Sequence, residues 1–182
     1  IPTENYLEKR SYIEVYDENG NKLKAQTVKE ASNISIDWRK KVVFETSPAA
    51  MSITRYTAKT VVLPVKKYPE VTEDIVFENG DKRVVIGAKS GLIESYVVHG
   101  KEYAEGRLFV PKMYDDTPDP WGMNEPFVGH NPAELTLLEK PDGVFEGMKS
   151  VQIIEDGEIY LGVEAFFGTG LTRVRLGDKI YK

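Results

Sequence analysis

The sequence predicts an all-β protein, an antiparallel β-sandwich, and three observations carry that prediction. Short runs of alternating apolar and polar residues recur along the chain, which is the period of a half-buried strand. Asn19-Gly20, Asn79-Gly80 and Asp156-Gly157 punctuate those runs with residue pairs that tolerate the backbone of tight hairpin turns. No window sustains a helical apolar stripe beyond a weak one-turn piece near Val28 to Asn33.

The elements follow in order. "YIEVYDENGNKLKAQTV", Tyr12 to Val28, reads as a strand, a turn at Asn19-Gly20 and a return strand. "PVKKYP" sets prolines and lysines where a sheet interior would not want them, so a linker is expected over 64–69. It divides a small β unit, 1–63, from a larger β-sandwich region, 70–182. "DIVFENGDKRVVIG" is a second hairpin, and "KSVQIIEDGEIYLGVEAFFG" is a third. In the third, Val151 and Ile153 alternate before the turn, and Ile159, Leu161, Val163 and Ala165 alternate after it. "GTGLTR" opens no helix, so Gly168 and Gly170 read as a turn rather than a nucleotide fingerprint. The last strand sets Val174 and Leu176 against Arg173 and Arg175 and stops without a turn or cap, so the sandwich is expected to be truncated at its C-terminus.

Composition narrows the function classes. With 41% hydrophobic residues in 182, the chain can bury a real core. A formal charge of −5 and no basic run longer than Arg39-Lys40-Lys41 argue against nucleic acid. No apolar run approaches the roughly 20 residues of a membrane span, and "IPTENYLEKR" lacks the apolar core of a signal peptide. A soluble, cytoplasmic protein is expected, with neither membrane nor nucleic acid among its partners. The absence of cysteine excludes disulfides, thiolate zinc sites and a Cys nucleophile.

The stretch with the most chemistry is "DDTPDPWGMNEPFVGHNP", Asp115 to Pro132. His130 has Asp115, Asp116, Asp119 and Glu125 within reach in sequence for a zinc site, against the plainer reading of a loop histidine bonded to backbone. The acidic cluster offers carboxylates to calcium but lacks the ligand order and central glycine of a calcium loop. Two of its carboxylates could equally flank a sugar as a glycosidase pair, which sequence spacing leaves open. Trp121, Phe127, Tyr114 and Tyr103 offer an aromatic face for a sugar ring, although aromatics beside strands are more often core. The second histidine, His99, falls in a "HGKEY" turn.

Three stretches taken together resemble a known family. "KAQTVKEASNISIDWRKKVVFETSPAAMSITRYTAK" carries Gln26, Glu30, Asp37-Trp38-Arg39 and Arg55-Tyr56. "SGLIESYVVHGKEYAEGRLFVPKMYDDTPDPWGM" carries Gly91, Ile93, Ser95, Gly100-Lys101-Glu102, Asp116, Asp119, Trp121 and Gly122. "VQIIEDGEIYLGVEAFFGTGLTRVRLGDKIYK" carries Glu155, Gly157 and Tyr181-Lys182. In this order they resemble the β-rich region that follows the catalytic domain in the α-mannosidases of glycoside hydrolase family 38. The resemblance covers most of the chain from about Lys24.

It implies a parent enzyme that hydrolyses α-mannosidic bonds with retention, using zinc and an aspartate nucleophile on a domain that precedes the matched segment. This region would then be non-catalytic and hold no cofactor of its own. Its partners would be the catalytic domain of the same chain and carbohydrate, and a homo-oligomeric parent is compatible with that picture. Asp116, Asp119, Trp121 and His130 are the candidates for the rim of the sugar site. One position departs from the family, which has Trp followed by Gly-His or Ser-His where this chain has Trp121-Gly122-Met123. The alternative function is a stand-alone carbohydrate-binding or interaction module.

Overall fold

In a computed structural model, residues 9–28, 40–114 and 132–182 are described, and they form antiparallel β-sheet almost throughout. Asp116, Asp119, Trp121 and His130, and most of the short helical piece expected near Val28 to Asn33, lie outside the described residues. The all-β prediction holds. The one helical element among the described residues is the single 3-10 turn Gly143–Phe145. No described helix is long and apolar enough to cross a membrane.

The chain divides into two compact units. One takes Ile1–Pro69 together with Ile154–Gly162 and Lys179–Lys182, and the other takes Glu70–Ile153 and Val163–Asp178.

The first unit contains β1 (Lys9–Tyr16), β2 (Ala25–Val28), β3 (Lys41–Phe44) and β4 (Thr57–Pro64). The run from Tyr12 to Val28 does not form the expected two-stranded hairpin ladder. Its turn forms, but β1 pairs along its whole length with β4, from Lys9 opposite Pro64 to Tyr16 opposite Thr57, and β2 pairs with β3. A strand has two edges: the ladder of β1 forms with β4 on one, and the backbone of the return segment bonds to β1 only beside the turn. The Asp17 carboxylate accepts the N–H groups of Asn19 and Asn21, at 2.9 and 2.8 Å, and builds a wide loop in place of a two-residue hairpin. Beyond the Tyr16–Lys22 bridge and the Leu23 N–H bond to Val15 O, the return segment meets β1 through a side chain. There the Thr27 hydroxyl accepts the N–H of Ile13 at 2.8 Å.

The second unit holds a four-stranded sheet of β5 (Ile75–Asn79), β6 (Lys82–Ile86), β7 (Ile93–Val98) and β8 (Lys101–Glu102), in that order. Its turns are tight, and positive φ at Gly80, at His99 and at Gly100 provides them. Three short strands follow: β9 (Lys112–Met113), β10 (Ala133–Glu134), which pairs with β9, and β11 (Thr136–Leu137). Three long ones, β12 (Val151–Asp156), β13 (Tyr160–Thr169) and β14 (Thr172–Tyr181), contribute residues to both units. β13 pairs with β11, β12 and β14.

β13 also corrects the half-buried strand expected from its alternation. Tyr160–Val163 and Ala165–Gly168 are all buried, so both faces are covered. In the second unit the Phe145 ring, delivered by the 3-10 turn, packs on Phe166 at 4.6 Å and covers the face opposite Val163, Ala165 and Phe167. Gly168 belongs to the strand, opposite Thr136, and the turn lies at Gly170-Leu171.

The two sheets of this unit meet at Gly91, in the loop between β6 and β7. Its φ is +66°, and a Cβ there would stand 2.7 Å from Leu137 Cδ1 and 2.8 Å from the Ala165 Cβ. Gly91→Ala should therefore destabilise this unit by about 1–3 kcal/mol for overpacking, plus roughly 1–2 kcal/mol for the left-handed backbone. Gly100, at φ +76° with nothing within 4 Å, is the control, because its Ala variant meets only the backbone cost. Urea denaturation of the two variants should show Gly91→Ala with the lower midpoint.

Candidate functional site

The sugar-rim candidates Asp116, Asp119, Trp121 and His130 fall in a stretch whose described flanks are antiparallel. Met113 pairs with Ala133 and Lys112 with Glu134, and the Leu135 N–H bonds to Pro111 O at 2.9 Å. Arg107 and Lys112 approach the Glu134 carboxylate at 3.9 and 3.7 Å. Of the expected aromatic face, Tyr103 is exposed and lies 6.2 Å from the ring of Tyr96. His99 directs Nδ1 at Asp81 Oδ2, 2.9 Å away, and its N–H bonds to Asp81 O, so it joins two neighbouring hairpin turns. Among the described residues no three His, Cys, Asp or Glu side chains converge on a metal position.

The most concentrated polar arrangement is built in the first unit around Gln26, a residue singled out by the family resemblance but not as a site. Its side chain is buried on β2, where alternation turns Gln26 and Val28 inward. Gln26 Oε1 accepts the N–H groups of Ile159 and Tyr160, at 3.1 and 2.9 Å, and Nε2 donates to Glu155 Oε2 at 3.4 Å. Gly157 leaves the room, because a Cβ there would occupy the space of the Gln26 carboxamide.

The same turn is held from three further directions. Tyr68 Oη accepts the Asp156 N–H at 3.0 Å, Lys66 Nζ donates to Asp156 O at 3.1 Å, and Glu158 accepts the Ala25 N–H at 3.2 Å. Lys182 adds an N–H bond to Ile159 O and an ion pair with Asp156 at 2.6 Å. The Tyr160 hydroxyl donates to Glu155. Burial first, and then the Glu155 carboxylate, push the Tyr160 phenol far above its ordinary range, so it stays protonated and serves as a donor. The cluster holds backbone in place rather than presenting a reactive group.

A shallow groove of about 580 Å³ lies elsewhere in the first unit, lined by Tyr16, Asp17, Ile53, Arg55 and Lys59 among others. Lys59 Nζ sits 4.5 Å over the Tyr16 ring, and the Tyr16 hydroxyl donates to Glu14 at 2.7 Å. The side chain of Ile53 stands fully exposed beside it. Arg55-Tyr56 is a motif pair of the first stretch that resembles the family. Tyr56 in fact packs its ring on Phe44 at 5.1 Å and leaves Arg55 to the groove.

The Gly100-Lys101-Glu102 motif has a structural role in the second unit. Glu102 Oε1 accepts the N–H groups of Tyr96, Tyr103 and Ala104, and Oε2 accepts the Ser95 hydroxyl at 2.5 Å. These bonds, the Ser95 hydroxyl first, hold its carboxyl at about 2.

Comparison of the chain with protein-family models, curated proteins and solved structures found no match.

Two outcomes follow from the geometry. Gln26→Leu removes the acceptor of the half-buried Ile159 N–H and the buried Tyr160 N–H and should cost on the order of 2–6 kcal/mol, at about 1–3 kcal/mol for each unsatisfied donor. Chemical denaturation measures that loss. Glu102 is more acidic folded than unfolded, where a glutamate titrates near about 4.3. Its contribution is therefore complete above that value and is lost as pH falls towards about 2. Wild type should lose more stability than Glu102→Gln across this acid window, as read by the difference between their pH-dependent melting curves.

Proposed function

We propose that this chain is the non-catalytic β region of an α-mannosidase-like glycoside hydrolase of the family 38 kind. It braces the catalytic domain and carries the 115–132 segment to the rim of the sugar site. The observation that carries this reading is the convergence of its motif positions. Gln26, from the first matched stretch, is hydrogen-bonded to Glu155 and packed on Gly157 from the last, and Lys182 closes the same turn. Gly91, Ser95 and Glu102, from the middle stretch, serve as a close sheet contact and a hairpin cap. Positions that hold backbone together are what a scaffold region would keep, while zinc and the aspartate nucleophile would belong to the preceding domain.

The second reading, a stand-alone carbohydrate-binding or interaction module, is favoured by the groove beside Tyr16 and Arg55. One pair of experiments separates the two. In the full-length parent, Asp119→Ala or Trp121→Ala should lower kcat/KM for aryl α-mannosides roughly ten- to hundredfold with an unchanged denaturation midpoint, and the chain by itself should neither turn over the mannoside nor bind zinc stoichiometrically. Normal kcat/KM in both variants, together with glycan binding to the isolated chain that Arg55→Ala abolishes, would establish the module instead.

A further inference from the structure

The chain contains the sequence Glu-Asn-Gly twice, at Glu18-Asn19-Gly20 and at Glu78-Asn79-Gly80, and the fold treats the two differently. An asparagine followed by glycine is open to intramolecular attack, because glycine has no side chain to block the approach of its own nitrogen to the neighbouring amide carbon. The reaction needs that nitrogen to lose its proton and swing towards Asn Cγ.

At the first site both backbone groups are tied down. The Gly20 N–H bonds to Asp17 O at 3.1 Å, and the Asn19 N–H bonds to the Asp17 carboxylate at 2.9 Å. Asn21 adds two bonds of its own to that carboxylate, which the Asn21 side chain, first among several donors, holds below the usual range. At the second site Asn79 closes the β5–β6 ladder opposite Lys82, and Gly80 begins the turn at φ +55°. Asn79 and Gly80 are both exposed, and the Gly80 N–H has no hydrogen-bond partner among the described residues.

We infer that Asn79 is a site of spontaneous deamidation and that Asn19, with the same neighbours on either side, is protected by its turn. The Gly80 nitrogen, after losing its proton to solvent base, bonds to Asn79 Cγ. The Cγ–N bond of the carboxamide breaks, and ammonia leaves. The resulting five-membered imide adds water at either carbonyl and opens to aspartate or isoaspartate. Either product sets a new carboxylate between Glu78 and Asp81, and the isoaspartyl form also inserts a methylene into the backbone at the end pair of the ladder.

The test is incubation of the folded chain in mildly alkaline buffer at physiological temperature, followed by peptide mapping that separates asparagine, aspartate and isoaspartate at each position. Asn79 should convert several-fold faster than Asn19. In concentrated urea the two rates should converge, since the local sequences match, and Asp17→Ala should accelerate Asn19 in the folded chain without changing Asn79. Equal folded rates, a faster Asn19, or a difference that persists in urea would each overturn the inference.

Discussion

One carboxamide holds together the turn on which the first unit closes. The Gln26 side chain stands beside the backbone N–H groups of Ile159 and Tyr160, and it supplies an acceptor to both while giving its own N–H to Glu155. No other side chain meets all three demands. Asparagine is one methylene shorter, glutamate would set a second carboxylate against Glu155 and lose the donor, and leucine would take the acceptor from both N–H groups, the one at Tyr160 buried. The arrangement further requires Gly157, since any Cβ would fill the carboxamide's place. Once the turn is fixed, Asp156 is correctly placed for Tyr68, Lys66 and Lys182.

Carboxylates at loop ends perform the same service in a charged form. Asp17 organises the wide turn after β1, and Glu102, the last residue of β8, collects the N–H groups of Tyr96, Tyr103 and Ala104. Asp142 pairs in two-pronged fashion with Arg173, at 2.6 and 2.9 Å. All three are held below the ordinary acid range by the groups they bind, with Asn21, Ser95 and Arg173 respectively foremost. Asp178 is the opposite case. It takes an inward position on β14 in step with Val174, Leu176 and Ile180, and burial raises its carboxyl. The acids that cap turns are thus held ionised by the donors around them, whereas burial on its strand face disfavours the ionised form of Asp178.

The turns were legible in the sequence because glycine marks positive φ, as at Gly80, Gly100 and Gly170. The partnering of strands was not. β1 and the run after Asn19-Gly20 alternate as a hairpin should, and nothing local announces that β4 supplies the ladder instead. Leu161, Val163 and Ala165 alternate, and that alternation hid the second buried face of β13, although Tyr160 and Phe166 in the intervening positions make the run nearly continuous in apolar residues. Gln26 could be seen as a motif position, but its partners lie more than a hundred residues away, and only the fold brings them to it. The sugar-rim candidates Asp116, Asp119, Trp121 and His130 rest on the family resemblance and lie outside the described residues.

The composition of the first unit has a consequence for synthesis on the ribosome. Its strands β1 to β4 are made early, yet the unit also needs Ile154–Gly162 and Lys179–Lys182. A nascent chain would therefore emerge with β2 already translated and the Gln26 carboxamide still lacking the turn it serves. It must wait for nearly all of the second unit to be translated before its core can close, exposing apolar strand surface to chaperones and to neighbouring chains in the interval. The second unit has most of its strand partners close by in sequence, so the order of folding should run against the order of translation.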